Sequence, residues 1–264
     1  MPKPSIVLVP GSFSLPEFYD NILNAVKAKG YEIKGLHYPS VGLKTGPRTG
    51  ELPSMYDDAA FIAKEVAKLA DEGKDVVLIG HSYGGVPVTQ STEGVTKAER
   101  QKQGKKGGIV RLAYMTALVP AIGQSAGGIL EKLPAESRIQ FAVDDKGWLY
   151  ISDIPAAGLV TISDLSDKAE REAWVEKFQV HSPVSFSNEL THAGYKDVPV
   201  SYLFCEEDRC VTPQIQKDSI DIIEKESGRK VDVTSIKTGH CPSITAPEKV
   251  VDWIVHVATK SEDI

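Results

Sequence analysis

Residues 75–85 read DVVLIGHSYGG, from Asp75 to Gly85. Val76, Val77, Leu78 and Ile79 form a short apolar run of the kind a strand covered on both faces shows, and the run breaks at once into glycine-bounded polar residues. The Gly-x-Ser-x-Gly pattern, Gly80-His81-Ser82-Tyr83-Gly84, fits a sharp turn from strand into helix. Glycine two residues to either side lets the backbone fold tightly enough to lift the Ser82 hydroxyl above the sheet edge, on a residue whose own dihedrals are expected to be strained. In a chain this long three fixed positions match by chance with a probability of roughly 0.1, so the pattern takes its meaning from its place directly after a buried strand. Ser82 is therefore the candidate nucleophile; the competing reading is a serine that merely caps the following helix.

Outward from this turn the same alternation of strand and helix recurs. On the N-terminal side, Ser5 to Val9 is an apolar run that stops at Pro10-Gly11-Ser12, and Pro16 to Lys29 carries Phe18, Ile22, Leu23 and Val26 at helical spacing up to Gly30. Tyr31 to Tyr38 is a second strand candidate. Ser54 reads as the N-cap of an amphipathic helix in which Met55, Ala59, Ile62, Val66 and Leu69 follow at steps of four and three. On the C-terminal side, Ile109–Ala117, Val198–Cys205 and Val231–Ile236 read as strands. A helix begins near Thr212 with Pro213 at its first position, and the last runs from Pro247 to Thr259. Six strand candidates with helices between them predict an α/β fold, a mainly parallel, doubly wound sheet. Residues 1–120 and 196–264 make its core. From Ala121 to Tyr195 the alternation is lost, with a short strand at Trp148–Ile151 and a helix at Asp167–Phe178, and 121–195 is read as a modest inserted cap over the strand ends.

The totals narrow the function. The chain has 264 residues, with 30 basic against 36 acidic residues and a formal charge of −6. That charge gives no electrostatic reason to expect nucleic acid, and the basic run at Lys97–Lys106 reads as a solvated helix end. The N-terminal MPKPSIVLVPG leaves too short an apolar run for a leader, and no stretch approaches a membrane span, so the expected address is cytoplasmic and the expected partner a small molecule. Three cysteines, Cys205, Cys210 and Cys241, are too few for a disulfide framework, and no Cys-x-x-Cys pair suggests zinc or another metal. A Cys210–Cys241 bond on oxidation stays open as an alternative to plain packing.

Side chains just past the C-terminal ends of parallel strands converge on one crevice. Here those residues are Ser82 after the third strand, Glu206, Glu207 and Asp208 after the fifth, and His240 after the sixth. A serine hydroxyl needs a base to take its proton, and a neutral imidazole needs a carboxylate to hold its tautomer. The order Ser82, Asp208, His240 supplies this set, with Glu207 or Glu206 as alternatives to Asp208, which precedes the turn into the Pro213 helix. An oxyanion requires two further donors, expected from the Tyr83 N–H and from the first turn, where the Ser12 N–H is the candidate. Phe13 is expected to wall the pocket and Trp148 to join it, with Tyr83, Phe141, Phe178 and Phe186 as further candidates; packing within the cap is the plainer reading of such aromatics.

These residues resemble the α/β-hydrolase family. VLVPGSF, VVLIGHSYGG, YLFCEEDRCVTP and KTGHCPSITAPEKVVDWI stand in family order at family-like distances, across most of the chain outside the cap. More narrowly the chain resembles the compact branch of plant methyl esterases and hydroxynitrile lyases. That resemblance implies a serine hydrolase of small-molecule carboxylic esters or lactones that needs no cofactor. The branch usually carries His-Gly where this chain has Pro10-Gly11. The lyases use a threonine in that turn and a lysine beside the catalytic histidine, where Gly11 and Cys241 stand here, which disfavours cyanohydrin cleavage. A non-hydrolytic enzyme or a ligand receptor on the same scaffold remains the alternative, since fold does not fix function.

Overall fold

The computed structural model describes residues 3–261; Met1 and Pro2, which open the stretch read above as too short for a leader, lie outside them. Its eight strands are β1 (Ser5–Val9), β2 (Ile33–Gly35), β3 (Asp75–His81), β4 (Gly108–Met115), β5 (Phe141–Val143), β6 (Leu149–Ile151), β7 (Val200–Cys205) and β8 (Asp232–Ile236). Six of them form one sheet in the order β2-β1-β3-β4-β7-β8, with every neighbouring pair parallel. Strand β3, which leads into Ser82, thus sits in the middle of the sheet, paired on both edges with β1 and β4.

Because side chains alternate across a strand, this sheet feeds two separate cores. Val7, Val9, Val76 and Leu78 pack on one face with Ile62, Val66 and Leu69 of the helix Met55–Asp71 and Ile215 of the helix Pro213–Ser227. Ile6, Leu8, Val77 and Ile79 pack on the other with Ile22 and Val26 of the helix Asp20–Ala28 and Val250, Trp253 and Ile254 of the helix Pro247–Thr259. Continuous apolar strands with helices on both faces are what a doubly wound parallel sheet demands. The helix Met55–Asp71 starts where Ser54 and Asp57 close a capping box, the Asp57 N–H reaching the Ser54 hydroxyl at 3.2 Å and the Ser54 N–H reaching the Asp57 carboxylate at 2.7 Å.

Four elements depart clearly from the sequence reading. The second strand is only Ile33–Gly35, because as the sheet edge it pairs with β1 alone. The first helix opens with a 3-10 turn, Pro16–Tyr19, before Asp20–Ala28. Within 121–195 the strand Leu149–Ile151 pairs antiparallel with Phe141–Val143, and the expected helix is Lys168–Val175, capped by Asp167. No helix of the described residues is long and apolar enough to cross a membrane.

Candidate active site

Ser82 stands immediately past β3 with φ at 53°, a left-handed backbone that a non-glycine residue holds only where its surroundings force it. The glycines around it are sterically required. A Cβ on Gly84 would lie 2.5 Å from the Pro10 carbonyl oxygen and 2.6 Å from that of Val9, and a Cβ on Gly80 would lie 2.8 Å from the Gly84 carbonyl oxygen. Gly11 serves the approach from the other side, since a Cβ there would meet the Ser82 Cβ at 3.2 Å. The turn after β1 and the turn after β3 are thereby pressed together.

The hydroxyl of Ser82 lies 2.9 Å from His240 Nε2, and His240 Nδ1 lies 2.7 Å from Asp208 Oδ2. All three side chains are buried, with Ser82 at 7% exposure, His240 at 4% and Asp208 at 3%. Asp208 is fixed from every side: its Oδ1 accepts the N–H groups of Cys210 at 2.7 Å and Val211 at 2.9 Å, and its Oδ2 accepts the Thr116 hydroxyl. Four donors, His240 Nδ1 among them, hold this carboxylate in one orientation. Burial alone would lower the His240 imidazole, but the Asp208 carboxylate and Cys210 beside it together outweigh burial and raise it well above its ordinary 6.5. Glu206 and Glu207 take no part, for Glu206 accepts from Ser235 at the surface and Glu207 pairs with Lys237 there.

Ser12 lies in the turn after β1 and Tyr83 directly follows Ser82; among the described residues neither backbone N–H has a protein acceptor. The adjoining amides do. The Gly11 N–H donates to Tyr19 Oη at 3.0 Å, and the Tyr19 hydroxyl donates to His81 Nδ1 at 2.6 Å. His81 Nε2–H then donates to the His240 carbonyl at 2.9 Å. With Nδ1 accepting and Nε2 donating, His81 is a neutral ring, and burial, helped by His240, pushes it down to about 3. This chain of bonds ties the first turn, the turn carrying Ser82 and the loop carrying His240 together.

A cavity of about 330 Å³ opens over Ser82, lined mainly by apolar side chains that include Phe13, Tyr83, Leu130, Phe141, Leu149 and Phe186. A smaller one of about 40 Å³ shares Ser12 and Ser82 with it and is bounded by Gly11, Phe178, His240 and Cys241. Trp148 lines neither cavity: it is buried at 2% exposure, its N–H held by Asp144 at 2.8 Å in the turn that opens β6, and Leu149 takes the cavity position instead. Cys210 reaches both cavities and Cys241 the smaller, and all the cysteines are free thiols, with no Cys210–Cys241 bond.

Sequence reasoning missed three residues here. Thr116, with φ at 36°, stands just past β4 and holds Asp208, so the rule that picked the residues after the other strands would have reached it. Asp58 is buried on the helix Met55–Asp71 and accepts the Tyr83 hydroxyl at 2.8 Å. Burial lifts its carboxyl to about 7 against the pull of its bonds from Ser40 and Tyr83. The clue was its place three residues after Met55 and four before Ile62, on the apolar stripe. His181, buried among Phe13, Tyr83 and Phe186, carried no sequence signal.

Residues 6–253 match the family model described as the alpha/beta hydrolase family. The chain therefore belongs to that family. It is 33% identical to the "Probable hydrolase R7" of Phoma sp. over 98% of this chain and 99% of that one. It is 22% identical to "Methylesterase 1" of Arabidopsis thaliana over 98% of this chain and 97% of that one. Among solved structures it resembles a pyrethroid hydrolase from Sphingobium faniae, with a TM-score of 0.73 at 20% identity and 99% of each chain covered.

Proposed function

We propose that this hydrolase cleaves a small-molecule carboxylic ester or lactone through an acyl-enzyme on Ser82. The observation that carries the reading is the unbroken hydrogen-bond chain from Ser82 Oγ through His240 to Asp208, at 2.9 and 2.7 Å, at the floor of an apolar cavity. His240 Nε2 takes the Ser82 proton as Oγ bonds to the acyl carbon, and the carbonyl electron pair moves onto oxygen. The N–H groups of Ser12 and Tyr83 donate to that oxyanion, and Asp208 stabilises the imidazolium. Collapse breaks the acyl–alkoxy bond, and His240 returns its proton to the departing alcohol. Water then attacks, deprotonated by the same nitrogen, and releases the acid.

The two cavities support a division of the substrate into unequal halves. His240, which protonates the leaving oxygen, borders the cavity of about 40 Å³, whereas the one of about 330 Å³ is apolar. A small alcohol on the histidine side and a bulky apolar acyl group on the other fit this division, and a relative named Methylesterase 1 is in keeping with it. Residues 121–195 serve as the cap, supplying Leu130, Phe141, Leu149 and Phe186 to the large cavity. A small-molecule partner, no cofactor and a cytoplasmic address complete the proposal.

The test is incubation with a fluorophosphonate probe and with p-nitrophenyl acetate, repeated in Ser82→Ala. Labelling and turnover that both vanish in the variant are the expected result. Labelling without turnover of any ester would transfer the chain to the lyase or receptor reading, and an unlabelled wild type would end the nucleophile assignment.

A further inference from the structure

Behind the catalytic residues lies a buried polar network that no step of acyl transfer uses. One oxygen of Asp58 accepts the Ser40 N–H at 2.8 Å, and the other accepts the Ser40 hydroxyl at 2.6 Å and the Tyr83 hydroxyl at 2.8 Å. Across the Ser40 side chain stands His181, whose Nδ1 accepts the Phe13 N–H at 3.2 Å. The state of this histidine follows from its neighbours. Ser40 gives its hydroxyl proton to Asp58 and Ser185 gives its own to the Ser182 carbonyl at 2.9 Å, so neither can donate to the ring. His181 Nε2 must therefore carry the proton, donating to Ser185 Oγ at 3.0 Å and more weakly towards Ser40 Oγ at 3.4 Å. The ring is a neutral Nε2–H tautomer, and only that tautomer leaves Nδ1 free to accept from Phe13.

The two ends of this network grip the residues beside the expected oxyanion donors. Phe13 follows Ser12 and holds φ at 62°, a conformation unfavourable for a phenylalanine, so the first turn needs external support. That support is complete, for its N–H goes to His181 and its carbonyl accepts the Gln179 N–H at 2.7 Å. At the other end the Tyr83 side chain is pinned by Asp58 through its hydroxyl, while its ring packs edge-on to His181 with centroids 5.0 Å apart. Segment 179–182 is docked on the core by the same set of contacts, the Ser182 N–H reaching the Ser40 carbonyl at 2.8 Å.

We propose that Asp58 and His181 are positioning residues for acyl transfer: joined through Ser40, they hold the two turns so that the Ser12 and Tyr83 amides stand in place before negative charge develops. The proposal rests on the ester-hydrolase reading above. Preorganised donors cost no rearrangement at the moment of reaction, and losing one outright costs about 100- to 1000-fold in kcat. Loosening one by removing its support is expected to cost less, about 10- to 100-fold.

The experiment compares His181→Phe, which keeps a ring but removes the acceptor, with His181→Asn, whose amide oxygen replaces Nδ1, and with Asp58→Asn. For each variant, kcat and KM on p-nitrophenyl acetate, the rate constant of fluorophosphonate labelling at Ser82 and the melting temperature are measured. The expected result is a kcat about 10- to 100-fold lower in His181→Phe and Asp58→Asn, with KM within about twofold and labelling slowed by the same factor. His181→Asn is expected to recover most of the loss. The proposal is overturned if wild type labels and folded His181→Phe and Asp58→Asn label as fast. It is equally overturned if His181→Asn is as impaired as His181→Phe, which would leave His181 a packing role alone. A wild type that neither labels nor turns over substrate would refute the ester-hydrolase reading itself, and this inference with it.

Discussion

In Asp208→Asn the new amide has only one way to lie. The Oδ1 position faces two backbone donors, the Cys210 N–H at 2.7 Å and the Val211 N–H at 2.9 Å, and these demand an oxygen. The NH2 group is thereby forced to the Oδ2 position, where it meets the Thr116 hydroxyl and, at 2.7 Å, His240 Nδ1. Thr116 can turn to accept. His240 has to accept as well, which moves its own proton to Nε2 and leaves no lone pair for the Ser82 hydroxyl at 2.9 Å. The loss combines the wrong tautomer with an unpaired imidazolium, and an asparagine in the matching place of a serine protease lowers kcat about 10⁴-fold. At about 1.4 kcal/mol per decade this is about 5.5 kcal/mol of transition-state stabilisation. The assay is p-nitrophenyl acetate hydrolysis in wild type and variant at matched folding, with the imidazole tautomer read from its ¹⁵N shifts. A variant that keeps a tenth or more of wild-type kcat, or whose His240 still carries its proton on Nδ1, would refute the reasoning.

Other outcomes follow from the same geometry. The proposed base His240 works only when unprotonated, and Asp208 raises it above 6.5; kcat/KM should therefore fall as pH drops through an apparent pKa above 6.5, and a pH–rate profile checks this. Gly84→Ala would drive a Cβ to within 2.5 Å of the Pro10 carbonyl oxygen; a cost of about 1–3 kcal/mol should lower Tm by about 2–4 °C per kcal/mol, measured calorimetrically. Leu130→Trp fills the cavity of about 330 Å³; hydrolysis of p-nitrophenyl decanoate should fall about tenfold or more while the acetate keeps most of its rate, as a difference of about 1–3 kcal/mol between long and short acyl chains implies.

Much of this architecture was legible because its signals are local. β1 runs from Ser5 to Val9 and the last helix from Pro247 to Thr259, both as read from the sequence, since an apolar run ending at proline-glycine and a proline-started amphipathic stretch each carry their own boundaries. The meeting of Ser82, Asp208 and His240 followed from placing each past a strand end. The hairpin strand Phe141–Val143 was missed because it spans only three residues, two of them exposed, and so has no core face to impose a period. The helix Ile154–Thr161 escaped for the opposite reason: IPAAGLVT is apolar or small on nearly every side. Trp148 was placed wrongly because one step along an extended chain reverses the face a side chain meets, and only the Asp144 turn fixes that step. Asp58 and His181 lie far apart in sequence and are brought together by tertiary packing alone, which no local pattern records.

The most direct measurement is an acid quench during turnover of p-nitrophenyl acetate, followed by mass spectrometry of the intact chain and of the peptide carrying Gly80 to Gly85. The account predicts a single acetyl group on Ser82, present in wild type, accumulating where deacylation is slow and absent from Ser82→Ala. Turnover with no acetyl adduct at Ser82, or an adduct on another residue that persists in Ser82→Ala, would contradict it.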